Sequence, residues 1–161
     1  MTRWGLLFLL ALWGCQPAPD QKLHGLWELL IMERQTDNGW QPVKDGYQGY
    51  LLYEASGHMA LHLLPRSYQQ VDTINFHSTF DIDSMSLAEL RHRAQSYIYI
   101  GSYTHDPAAQ TVTHTRLSHV TPTDWGQTVT RHYRFQGDTL IITPDEPTHA
   151  DLRLKWAKAQ P

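Results

Sequence analysis

From residue 97 to residue 158 the chain repeats one pattern. A short run rich in β-branched and aromatic residues is followed by a cluster of turn formers. The runs are "YIYIGSYT" (97–104), "TVTHTRLSHV" (111–120), "TVTRHYRF" (128–135), "TLIIT" (139–143) and "LRLKWAK" (152–158), and "DPAAQ", "TPTDWGQ" and "QGD" separate the first four. Such side chains suit a pleated, half-buried surface. Strands at this spacing argue for an all-β sandwich or barrel. The first half of the chain agrees. "GLWELLIMERQ" (25–35) is β-compatible and ends at a turn containing Asn38-Gly39, and "GYLLYEASGHMALHLL" (49–64) reads as a hairpin turning between Glu54 and Gly57.

One segment breaks the rhythm. "SMSLAELRHRAQSY" has helical composition, and Ser86 with Glu89 has the spacing of a capping box. In a helix Leu87, Leu90 and Ala94 fall on one face. Residues 65–96 are therefore expected to form a long connection with one helix, about 86–96, lying over an end or side of the barrel. Such a connection is either a functional lid or packing cover.

The N-terminus, "MTRWGLLFLLALWGC", places one basic residue before an apolar run of roughly ten residues, half the length of a membrane-spanning helix. This is the pattern of a secretory signal. "LWGC" resembles the lipobox of bacterial lipoproteins, with Cys15 receiving the lipid. The expected organisation is a signal peptide over 1–14, a tether over 15–22 and one domain over 23–161. Several acyl chains on one cysteine anchor stably, and Gln16 in place of Asp resembles the outer-membrane sorting rule. The expected location is the cell envelope, at the outer membrane and facing the periplasm. Cys15 is the single cysteine, so no intramolecular disulfide can form. Removing Arg3 with the signal takes the formal net charge from −3 to −4. An acidic chain without a basic cluster excludes nucleic acid as an expected partner.

Ten histidines invite a metal reading. Strand spacing argues against a local site. With a hairpin turning at "DPAAQ", His105 lies opposite about Thr111, and His114 is roughly 10 Å further along. His114 and His119 differ by five, so they are expected on opposite faces about 16 Å apart. His58 and His62 share a strand face about 13 Å apart, with Met59, Leu61 and Leu63 on the other. Zinc holds ring nitrogens at ~2.0–2.1 Å. No metal and no cofactor are expected, and His105 and His119 are expected to be solvated strand ends. By parity His114 shares a face with Val112 and Arg116. If residue 116 faces about 131, His114 lies near Tyr133, with Arg131 its diagonal neighbour.

Taken together, "LHGLWELL", "GYLLYEASGHMAL", the segment from "YIGSYTHDPAAQ" to "LIITP" and the final "LRLKWAK" resemble the lipocalin-like domain family in order and spacing over about residues 23–158. Here Thr115 follows His114 where the family often doubles the histidine, and Lys158 stands where the terminal motif has arginine. The resemblance implies an all-β fold, a lipocalin-like antiparallel β-barrel, whose interior can hold an apolar small molecule. Trp27, Tyr53, His114, Arg131 and Trp156 sit on motif positions. The expected ligand-binding set is Tyr53, Tyr99, Tyr103, His114, Arg131, Tyr133 and Trp156. Trp27 is expected as a plug at the closed end and Trp125 as a rim residue. An interior Arg131 must meet an anionic ligand or pair with an acid such as Glu28 or Glu54; surface exposure is its other reading.

The preferred reading is a membrane-anchored lipoprotein that binds a small hydrophobic or amphipathic molecule. One alternative is a proton-transfer enzyme with His114 as base and Arg131 stabilising an anion; no nucleophile motif accompanies it. Another is an envelope scaffold with a filled barrel. Oligomeric state is left open.

Overall fold

The computed structural model describes residues 22–71, 74–77 and 81–160. The expected signal peptide and Cys15 lie outside the described residues. Among those described, nine strands form one antiparallel sheet: β1 (Gly25–Thr36), β2 (Gly39–Pro42), β3 (Tyr47–Tyr53), β4 (His58–Pro65), β5 (Tyr97–Asp106), β6 (Thr111–His119), β7 (Thr128–Gln136), β8 (Thr139–Pro144) and β9 (Leu152–Lys158). β1 pairs with β3, each of β3 to β8 pairs with the next, and β9 pairs back with β1. The result is a closed eight-stranded antiparallel barrel, which leaves no free edge around its ring. β2 is a ninth strand. It pairs with the far end of β1 across the turn at Asp37-Asn38.

Alternation along each strand sends one set of side chains inward. Leu51 and Tyr53 on β3, Met59, Leu61 and Leu63 on β4, and Tyr99 and Tyr103 on β5 are all buried. Their neighbours Leu52, His58 and Ile100 are exposed. The two parts of the expected hairpin meet as foreseen, with Tyr53 opposite Met59. Gly101, on the inner face of β5, permits a close approach. A Cβ there would stand 2.2 Å from the Thr115 carbonyl oxygen.

The barrel has a plugged end and an open one. At the plugged end Trp27 is buried and its indole Nε1 donates to the Leu23 carbonyl at 2.8 Å. Lys158 covers the indole, its Nζ 3.9 Å from the ring centroid. That is a cation–π contact, made here by an ammonium. The other end carries the longer connections, 66–96 and 145–151.

The 66–96 connection holds helix α1 (Leu87–Arg93), whose cap is as expected: Ser86 Oγ accepts from the Glu89 amide at 3.1 Å. Its buried face is not as expected. Leu87, Leu90 and Ala94 are exposed, while Glu89 and His92 are buried. The reason is what the helix rests on. It packs on its own connection rather than on an apolar barrel wall. Glu89 Oε1 accepts from the His77 amide at 2.8 Å and from Arg93 Nη2 at 2.9 Å, and its Oε2 lies 2.9 Å from His77 Nδ1. His92 stacks on Tyr68 at 4.2 Å. Burial raises the Glu89 carboxyl pKa, but the bonds from His77 and Arg93 outweigh it and hold the group at about 2.

Candidate functional site

A cavity of about 330 Å³ opens at the unplugged end of the barrel. That lies at the low end of small-molecule pockets, ~300–1,000 Å³. Its walls are Leu51, Leu61, Leu63, Ile142, Leu152 and Leu154, with Met32, Val43 and the Trp156 ring. The polar lining comes from Tyr97, Tyr99, His114, Arg131 and Glu146, with Arg34 and His149 nearer the mouth.

His114 is the hub of the inner polar group. It is buried, on the inward parity of β6 opposite Val129. Tyr53 Oη lies 2.7 Å from its Nε2 and Tyr99 Oη 2.8 Å from its Nδ1. A neutral imidazole has one donor and one acceptor nitrogen. Tyr53 is completely enclosed, and His114 is the one hydrogen-bond partner its hydroxyl has among the described residues. Its proton would be orphaned unless it donates to Nε2. Nδ1–H then donates to Tyr99, whose own hydroxyl proton is left to point at the cavity that Tyr99 lines. Desolvation, reinforced by Arg131 and Arg116, lowers the His114 pKa to about 3. Burial likewise raises both tyrosine pKa values, so both stay neutral. With both nitrogens engaged and its basicity suppressed, His114 offers no free lone pair to a guest. It orients Tyr99 instead.

The second polar group is ionic. Arg131, inward on β7, is buried and paired with Glu146. Glu146 Oε1 also lies 3.4 Å from Nη2 of buried Arg116. Arg116 in turn reaches Asp124 at 3.3 Å and donates to Tyr97 Oη at 3.2 Å. A chain of alternating charge thus runs Asp124, Arg116, Glu146, Arg131. Two buried guanidiniums are matched by two carboxylates, as buried charge requires.

The expected site residues divide between wall and base. Tyr99, His114, Arg131 and Trp156 line the cavity. Tyr53, Tyr103 and Tyr133 are buried outside its lining. Tyr103 packs on Tyr53 with centroids 4.7 Å apart and donates to the Glu54 carbonyl at 3.2 Å. Tyr133 packs against Phe135. Trp125 is exposed in the β6–β7 connection, its indole donating to the His119 carbonyl.

Three expectations of register are corrected. His114 faces Val129 and not Tyr133; Arg131 faces Val112 and remains the diagonal neighbour of His114. Beyond residue 116, β6 leaves β7 and follows β5 alone, with His119 opposite Tyr99, so the β6–β7 ladder closes four residues from the expected register. The even shift preserved the faces. His105 faces Val112, one place from Thr111. Third, His119 is buried, not solvated, and it shares the inner face with His114. A bulge between the Gly101–Arg116 and Ile100–Ser118 pairs inserts Leu117 and resets the parity. His119 Nδ1 accepts from the Thr121 amide at 2.8 Å and its ring stacks on Tyr99. Burial and Arg116 lower its pKa.

Glu146 and Arg116 are the functional side chains that strand reading did not single out. The acids considered for Arg131, Glu28 and Glu54, are both exposed. The available signal was "PDEPTHAD", an acidic turn-forming stretch between two strands at the same barrel end as Arg131. Among the described residues no three His, Cys, Asp or Glu side chains are grouped to hold a metal ion.

The model of the lipocalin-like domain matches residues 24–159. The chain belongs to the lipocalin-like domain family. No curated protein and no solved structure matches it. The match runs from just before the Trp27 plug to just past Lys158, so the plug, the His114 hub and the cavity all belong to the lipocalin-like barrel. Family membership suggests ligand binding and leaves the ligand open.

Proposed function

We propose that this protein is a lipid-anchored envelope protein, held at the outer membrane through Cys15 and facing the periplasm, whose barrel binds one small hydrophobic or amphipathic molecule. The observation that carries the binding reading is the cavity of about 330 Å³, with leucine, isoleucine and tryptophan walls and few polar groups. A guest would gain ~25 cal/mol for each Å² of apolar surface it buries. Tyr99 and Arg131 would orient it. The lipobox-like "LWGC" supports the anchor.

Titration of the full chain with 1-octanol, followed by tryptophan fluorescence, tests the binding. Trp156 forms part of the wall, so the change in emission should be saturable and should be lost in Trp156→Phe while that variant still folds. No saturable change in the wild type would remove the reading. Separately, Cys15→Ala should move the protein from the membrane to the soluble fraction. Retention in the membrane would overturn the anchor.

A further inference from the structure

The interior of the barrel holds a carboxylate on a cation. Arg131 is carried by β7, is nine-tenths buried and cannot lose its charge. Its anionic partner comes from elsewhere. Glu146 sits on the 145–151 segment, two residues past the end of β8, and its side chain is a quarter exposed where Arg131 is a tenth. The segment is tied to the barrel at its two ends. The Asp145 amide donates to the Thr130 carbonyl at 3.3 Å and Gln35 donates to the Asp151 carbonyl at 2.7 Å. Between those points lie local turn bonds, His149 N to Glu146 O and Leu152 N to His149 O. Glu146 therefore reaches down into the mouth from a short span held at both ends.

We propose that Glu146 is an internal stand-in for the ligand's head group, and that the natural ligand is a short amphiphile with a carboxylate that displaces Glu146 from Arg131. This rests on the binding reading above and names its substrate class. The physical argument is exchange. A buried guanidinium must keep an anionic partner. An uncharged head group cannot replace Glu146 without stranding Arg131. A second carboxylate can, because it remakes the same planar, charge-assisted contact. Three further features of the same cavity suit such a ligand. Tyr99 has a hydroxyl proton to give toward the cavity in the His114 tautomer that enclosed Tyr53 favours. The Trp156 indole N–H is buried without a protein partner in the same wall. The leucine and isoleucine walls of the same cavity suit a short alkyl chain. Released from Arg131, Glu146 also leaves Arg116, which keeps Asp124. Binding thus shifts the 145–151 segment outward without leaving either arginine unpaired.

The test compares octanoate with 1-octanol on the full chain by calorimetric titration, in wild type and in Glu146→Gln. Removing the competing carboxylate should tighten octanoate at least about tenfold, the ratio that one hydrogen bond to a charged group corresponds to. The affinity for 1-octanol should change by far less, so that the ratio of octanoate to 1-octanol affinity rises. Glu146→Gln leaves Arg131 short of an anion, so octanoate should also raise its melting temperature more than it raises that of wild type. The double variant Arg131→Met/Glu146→Met removes the pair and leaves the remaining buried guanidinium, Arg116, on Asp124. It should lower the ratio of octanoate to 1-octanol affinity at least about tenfold below that of wild type. Octanoate affinity that is unchanged or weaker in Glu146→Gln, or a ratio in the double variant no lower than that of wild type, overturns the proposal while leaving the binding reading intact. Failure of both probes on every form overturns both.

Discussion

His114→Leu is the perturbation that tests the polar hub most directly. Leucine matches the apolar surroundings but offers nothing to Tyr53 or Tyr99, whose hydroxyls lie 2.7 and 2.8 Å from the two imidazole nitrogens. Each buried hydroxyl left without a partner costs ~2 kcal/mol, so the two together cost about 4 kcal/mol. In a domain of this size that lowers the melting temperature by about 10 °C, measured by circular dichroism at pH 7.5. The triple variant Tyr53→Phe/His114→Leu/Tyr99→Phe removes every polar member and should recover most of the loss, since deleting both partners of a bond is nearly neutral. The hub also sets an acid limit. His114 titrates at about 3 in the fold, against ~6.5 unfolded. The unfolded chain therefore binds a proton that the folded chain refuses between those values, and stability falls as the pH drops from about 6.5 towards about 3. His114→Leu should flatten that part of the profile by one proton. A melting shift under about 1 °C, or a triple variant no more stable than the single one, would refute the reasoning.

Gly101→Ala should destabilise the fold by ~3 kcal/mol or more in chemical denaturation, because the new methyl meets the Thr115 carbonyl oxygen at 2.2 Å and only strand separation relieves it; a cost below ~1 kcal/mol would mean that the β5–β6 contact is looser than described. Glu89→Gln should speed limited proteolysis within 66–96 about tenfold or more while the barrel's own melting stays close to wild type, because a neutral amide cannot hold both His77 and Arg93 as the carboxylate does. Unchanged cleavage would show that the connection is held by His92, Tyr68 and Phe76 instead.

The barrel was legible because its rule is local. Period-2 alternation and turn residues located β1 and β3 to β9 within a few residues, and β9 at its observed bounds. β2 was missed because four residues, "GWQP", carry too little alternation to register. The helix was found by its cap, which is also local, but its buried face was inverted. Amphipathic reading assumes that a helix lies on an apolar wall. Here the helix lies on a polar connection, and Glu89 is the group it encloses.

The site was legible only in part, and the division follows strand against loop. Parity put His114 and Arg116 on one face of β6 with Val112, and the family motif with its apolar and aromatic neighbours pointed to Arg131 as an interior cation, with surface exposure as its other reading. Parity failed at His119 because one bulge residue, Leu117, reverses every face beyond it. No periodic rule reaches Glu146. It enters the barrel from a segment whose path is set by where β8 ends and β9 begins in three dimensions. Strand pattern can therefore show that a barrel holds a cation, but the counter-ion is chosen by closure of the ring. That asymmetry bears on specificity. Arg131 fixes the place where negative charge must sit, and replacing it leaves a different barrel. Glu146 decides only which carboxylate sits there, and a change in the 145–151 segment can retune that choice while the strands stay as they are.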